Sequence, residues 1–186
     1  MDHESVCPWY LGFVLANPLR KLIQNPDKII GEYVKPGMKV IDYGSAMGYF
    51  SLPMAKKVGS SGKVYCFDIQ EKMLGGLVNR AKSAGLVNII EPRLIMNDNH
   101  DYDDLKQSAD FALLFAVAHE VPDQKKLFNS LAFMLKPGAK LLFAEPKGHV
   151  KPEAFARSIS LAEKAGFKKA ASGRSAMGLE ILLEKM

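Results

Sequence analysis

The sequence predicts an α/β fold: a doubly wound, seven-stranded sheet, mostly parallel, with a C-terminal antiparallel hairpin and an N-terminal helical cap. Three observations carry this expectation. Strand-like and helix-like runs alternate from Val40 onward. The strands are near-continuous apolar runs, as in a sheet covered on both faces. The last two, Phe167–Ser172 and Leu179–Glu184, are joined by a short Gly- and Ser-bearing loop. Only an antiparallel hairpin fits so short a connection.

The first 34 residues read as a helical cap, and 35–186 as the sheet domain. Asn17-Pro18 and Asn25-Pro26 each place an N-cap before a first-turn proline. Leu19, Leu22 and Ile23 form one apolar stripe, and Ile29, Ile30, Tyr33 and Val34 the next. Ahead of both lies the densest aromatic cluster, with Trp9, Tyr10 and Phe13. Lys35-Pro36-Gly37 and Lys136-Pro137-Gly138 each precede a strand, and Pro-Gly suits a type II turn.

Strand one is expected over Val40–Asp42, followed by a helix over Ser51–Val58 whose Pro53 is tolerated in the first turn. Strand two is Lys63–Asp68. A helix over Glu71–Ala84 stops at Gly85, and its interior Gly75-Gly76 pair lowers its propensity. Ile89–Ile95 is the third strand, weakened by Pro92. Phe111–Ala116 is the fourth, flat and apolar. A helix over Gln124–Leu135, a fifth strand over Leu141–Glu145 and a helix over Glu153–Ala165 lead to the hairpin.

Composition is that of an ordinary globular protein, 48% hydrophobic and 24% charged. No apolar run reaches the ~18 residues of a membrane helix. The acidic start lacks the order of a signal peptide, so a cytoplasmic protein without a membrane partner is expected. Net charge is +5 with scattered lysines and no basic–aromatic stripe, which speaks against nucleic acid. Cys7 and Cys66 make neither a disulfide framework nor a metal cluster, and Cys66 reads as a core thiol.

The most telling segment is Asp42-Tyr43-Gly44-Ser45-Ala46-Met47-Gly48, between strand one and a helix. An acid, a glycine-bearing turn and a helix start make a cofactor loop, with backbone N–H groups available to a ligand. A pyrophosphate loop needs a second glycine two residues after the first, and Ala46 stands there. Asp68, 20 residues past Gly48 at the end of strand two, suits ribose hydroxyls, with a helix cap as the plain alternative. A cofactor without pyrophosphate fits, and S-adenosylmethionine is one.

On Asp42-x-Gly44-x-x-x-Gly48, Asp68 and the closing hairpin, residues 30–186 resemble the class I S-adenosylmethionine-dependent methyltransferases. The usual middle glycine of their first motif is Ala46 here. The resemblance implies a Rossmann-like sheet with the last strand antiparallel. It also implies that Gly44, Ser45, Ala46 and Gly48 wrap the methionine part of the cofactor, and that Asp42 binds its ammonium through water. Asp68 would hold the ribose, Ile69 the adenine face, and the loop Met96–Asn99 the adenine edge through Asn97 or Asp98. Ala116, at the end of strand four, joins this set.

His119 and Glu120 follow strand four, at the carboxyl ends of strands where ligands bind in such sheets. His119 is the candidate general base; a backbone-bonded helix start is the alternative. Trp9, Tyr10 and Phe13 are the candidate aromatic wall for a small-molecule acceptor. Arg157 and Arg174 read as surface residues, with contact to an anionic acceptor as the alternative. Rival readings are an RNA or protein methyltransferase, a non-catalytic cofactor-binding relative, and a nicotinamide-dependent oxidoreductase.

Overall fold

A computed structural model describes residues 24–96, 102–146, 148, 150–171 and 178–186. The fold is the expected one, a seven-stranded, mostly parallel sheet with an antiparallel C-terminal pair. The chain divides into two units, Met1–His100 and Asp101–Met186.

In the first unit, helix α1 (Pro26–Ile30) starts as expected: Asn25 Oδ1 accepts from Asp27 N at 3.0 Å, with Pro26 in the first turn. It is shorter than its apolar stripe. Gly31 caps it, and Tyr33 N and Val34 N both turn back to Ile30 O at 3.1 Å. Ile30 and Val34 are buried all the same. The Pro36-Gly37 turn closes with Met38 N on Lys35 O at 3.3 Å and Gly37 at φ +79°. That positive φ is the requirement of a type II turn.

Strand β1 (Lys39–Tyr43) runs parallel to β2 (Lys63–Asp68), which runs parallel to β3 (Ile90–Leu94). Pro92 is accommodated because β3 lies at the edge. Helix α2 (Ser51–Val58) buries Met54, Ala55 and Val58. Helix α3 (Glu71–Ser83) buries Met73, Leu74, Leu77 and Ala81. It ends in a Schellman motif: Leu86 N bonds Ala81 O at 2.8 Å and Gly85 N bonds Lys82 O at 3.1 Å, with Gly85 at φ +69°. The two helix glycines differ. A Cβ on Gly76 would lie 3.0 Å from Met47 Cγ, whereas one on Gly75 meets nothing within 4 Å. Gly76 therefore admits the Met47 side chain, from the loop after β1, against the helix.

In the second unit, β4 (Ala109–Phe115) pairs in parallel with β5 (Leu135–Pro146). Strand β5 starts earlier than the sequence suggests. Ala109 faces Leu135, yet Phe111 faces Lys140, so the Pro137-Gly138 kink is a bulge inside one strand. Helix α4 (Gln124–Met134) begins at Asp123, whose Oδ1 accepts from Lys126 N at 2.9 Å. Helix α5 (Pro152–Lys164) leads to β6 (Phe167–Ala171) and β7 (Gly178–Lys185), an antiparallel hairpin. Strand β7 also pairs antiparallel with β5. That register sets Glu184 opposite both Lys140 and Lys168, whose hydrogen bonds hold its carboxyl at about 2. Among the described residues, no helix is long and apolar enough to cross a membrane.

Candidate functional site

The loop after β1 is built around two buried carboxylates. Asp42 is 4% exposed, and its Oδ2 accepts from Ser51 Oγ at 2.5 Å, at the start of α2. Burial pushes its pKa up to about 6, helped by the charge of Asp68 and opposed by the Ser51 hydrogen bond. Asp68, at the end of β2, is buried as well, and burial raises its pKa against three backbone N–H bonds.

Between them the loop is tied to β2. Gly44 N and Ser45 N both donate to Phe67 O, at 2.8 and 2.9 Å. Ala46 N donates to Asp68 Oδ2 at 2.9 Å, and Gly48 N to Ser45 O at 2.9 Å. These four loop N–H groups therefore have partners inside the protein. The loop presents side chains instead. Ser45 Oγ is buried without a hydrogen-bond partner among the described residues. A buried hydroxyl left unsatisfied costs about 1–3 kcal/mol, so a ligand that engages it is favoured.

Gly44 and Gly48 both sit at φ +80°, and Ala46 at φ +45°. Gly48 has a second reason to be glycine, since a Cβ would lie 2.2 Å from Leu77 Cδ1. Arg80, which sequence reasoning missed, reaches from α3 to donate to Met47 O. Asp68 Oδ1 accepts from Gln70 N at 2.8 Å, an Asx turn ahead of α3, whose N-cap is Gln70 and not Asp68. A carboxylate offers about four lone-pair sites, so its three backbone N–H bonds leave about one for a further donor. Ile69, Leu94 and Met96 are exposed apolar side chains at the carboxyl ends of β2 and β3. Leu94 was not singled out from sequence. Asn97 and Asp98 lie outside the described residues, as do Trp9, Tyr10, Phe13 and Arg174.

The second unit holds a separate cluster. Ala116 follows β4 at φ +59°, with its N–H on Ala144 O at 2.8 Å. A short 3₁₀ turn, Ala118–Glu120, then carries His119 and Glu120. Glu145, near the end of β5, reaches this turn with both oxygens. Its Oε1 accepts from His119 N at 3.0 Å, and its Oε2 lies 2.7 Å from His119 Nδ1. Glu145 has a side chain only 2% exposed, against 26% for His119. Burial raises the Glu145 pKa, and His119 opposes that rise. Glu120 Oε1 is more distant, 3.9 Å from His119 Nε2.

Sequence reasoning missed Glu145. The available signal was an acid near the carboxyl end of an otherwise apolar buried strand, where a charge is costly unless partnered.

His119 and Glu145 border a cleft of about 860 Å³, also lined by Gln124, Lys151, Arg157 and Ser158. Its polar floor is braced: Ser158 Oγ donates to Gln124 Oε1 at 2.6 Å, and Gln124 Nε2 to Ala118 O at 2.8 Å. Arg157 is exposed, as expected, and stands at this cleft. Cys66 is fully buried and its thiol pKa is pushed up by that burial, so it is no nucleophile.

Residues 34–175, more than half of the chain, match a family described as a methyltransferase domain. Among curated proteins, the chain is 29% identical over 112 residues to the demethylmenaquinone methyltransferase of Staphylococcus aureus. That match covers 60% of this chain and 44% of the relative. It is 33% identical over 122 residues to the ubiquinone/menaquinone biosynthesis C-methyltransferase UbiE of Bordetella parapertussis, covering 64% and 45%. The chain thus spans less than half the length of these relatives. Among solved structures, a SAM-dependent methyltransferase from Aquifex aeolicus superimposes with a TM-score of 0.82 at 23% identity, covering 96% of this chain and 97% of that one. That likeness is one of fold.

Proposed function

The chain belongs to the methyltransferase-domain family, and from that membership we propose that it is an S-adenosylmethionine-dependent methyltransferase acting on a small-molecule acceptor. One observation carries the reading: two buried acids, Asp42 and Asp68, flank a stapled glycine loop whose Ser45 hydroxyl has no partner among the described residues. A buried carboxylate pushed up to about 6 favours a cationic partner. The ammonium of an amino-acid tail is such a partner, so the residues present fit this cofactor.

When bound, S-adenosylmethionine supplies a methyl group on a sulfonium whose sulfur keeps the electron pair of the breaking bond. Asp42 holds the ammonium, with Gly44, Ser45, Ala46 and Gly48 along the methionine part. Asp68 accepts from the ribose. Ile69, with Leu94 and Met96 nearby, offers apolar surface to the adenine, and Asn97 or Asp98 its polar edge. His119 takes the acceptor's proton at Nε2, because Glu145 engages Nδ1 and fixes the tautomer. Glu145 is a positioning residue. Residues 35–186 form the cofactor-binding domain in this reading, and 1–34 a cap with Trp9, Tyr10 and Phe13 toward the acceptor. One curated relative is named a demethylmenaquinone methyltransferase and the other a ubiquinone/menaquinone biosynthesis C-methyltransferase, which supports a small acceptor.

The test is transfer of label from methyl-labelled S-adenosylmethionine into the small-molecule fraction of a cell extract. The reading expects labelled small molecules. Label found only in RNA or protein would overturn the small-molecule assignment, and none in any fraction would overturn catalysis.

A further inference from the structure

We propose that the cleft of the second unit binds the acceptor and selects a small aromatic acid, one with an anionic carboxylate and a hydroxyl. This rests on the methyltransferase reading and names its substrate class. The volume, about 860 Å³, lies in the range of small-molecule sites. Helix α5 presents Ala154, Arg157, Ser158 and Leu161 to it, the i, i+3, i+4, i+7 stripe of one helix face.

The charges of the cleft are not equivalent. Two of its three acids are committed within the fold: Glu145 holds His119 and Asp123 caps α4, while Glu153 is exposed in the first turn of α5. The cations Lys125, Lys151 and Arg157 make no ion pair with a described residue. A carboxylate is therefore the complement, and a planar guanidinium binds it with two parallel hydrogen bonds. Val121, Pro122, Val150 and Leu161 add apolar wall for a ring.

The dyad supplies the second half of the selection. The acceptor's O–H proton passes to His119 Nε2, the oxygen keeps the electron pair, and the resulting imidazolium is balanced by the Glu145 carboxylate. An acceptor with both groups uses the cations and the base together.

The experiment is an amide chemical-shift titration of the full chain with salicylate and with its neutral amide, salicylamide. Salicylate should shift the amides of Val121, Gln124 and Ala154 and bind about tenfold more tightly than salicylamide. The double substitution Lys151→Ala with Arg157→Ala, both exposed positions, should remove that preference. Equal binding of the two probes, a preference that survives the double variant, or no shift at these amides at about 10 mM would each overturn the proposal. S-adenosylhomocysteine is titrated in parallel. Its failure to bind would strike the cofactor reading and leave the result for the cleft standing.

Discussion

Glu145 Oε2 lies 2.7 Å from His119 Nδ1, while the other oxygen of the same carboxylate takes the His119 backbone N–H at 3.0 Å. One buried acid thus fixes both the turn and the ring of an imidazole that borders a cleft. Carboxylate–histidine pairs of this kind set the tautomer and leave Nε2 as the basic nitrogen. His119→Ala is expected to lower kcat by about 10²–10⁴-fold if Nε2 takes a proton in the reaction. Glu145→Gln should lower kcat with little change in KM. The double variant should be no worse than His119→Ala alone, because the residues act as a unit. Additive losses in steady-state kinetics would separate the two roles.

Asp42 gives the protein a specific pH dependence. Its carboxyl moves from an ordinary 3.8 to about 6 on folding, through burial first and the charge of Asp68 second. The fold therefore favours the protonated form. The stability this contributes is full below about pH 4 and is lost as pH rises to about 6, a loss of about 3 kcal/mol at neutrality. Asp42→Asn should flatten that part of the stability–pH curve in urea unfolding and raise stability at neutral pH. An ammonium-bearing ligand prefers the ionised form, so S-adenosylhomocysteine should bind more tightly as pH rises through about 6. The Asn variant should bind weakly and without that dependence.

The two glycines of α3 should respond oppositely. Gly75→Ala fills open space in a helix interior and should stabilise by about 0.5–1 kcal/mol. Gly76→Ala brings a Cβ to 3.0 Å from Met47 Cγ and should lose that gain and disturb the loop. Thermal unfolding of both variants, with cofactor affinity beside it, distinguishes a packing role from mere helix propensity.

At the loop itself, Gly48→Ala combines φ +80° with a Cβ 2.2 Å from Leu77 Cδ1, and should cost about 2 kcal/mol or more. Ala46→Gly goes the other way. Ala46 already holds φ +45°, which glycine adopts without strain, so stability should change by less than about 1 kcal/mol. Retained binding of S-adenosylhomocysteine in that variant would confirm that the missing middle glycine is tolerated through backbone geometry.

Much of the fold is legible because its punctuation is local. Helix α2 and strand β2 have the expected limits, since Gly59 and Asp68 mark their ends within a few residues of chain. Strand β5 is longer than expected because the Pro137-Gly138 turn sits inside it as a bulge, a distinction set by pairing with β4. Helix α1 stops before its apolar stripe does, because burial of Val34 needs only a continued turn. At the site, Asp42, the glycine loop and Asp68 stand within 27 residues of sequence, and their spacing is readable. Glu145 meets His119 from 26 residues away, through the register of two strands. Nor does sequence reveal that the loop N–H groups are consumed by Phe67 O and Asp68, because that depends on how closely β1 and β2 end together.

The most direct measurement of the central claim is a calorimetric titration of S-adenosylhomocysteine into the wild-type chain and into Asp68→Ala. Asp68 also holds Ala46 N, so each protein's fold is checked by circular dichroism first. The account predicts one saturable site in the wild type and at least about a tenfold loss of affinity in the variant. No detectable binding to the folded wild type at about 1 mM ligand, or equal affinity in both proteins, would contradict it.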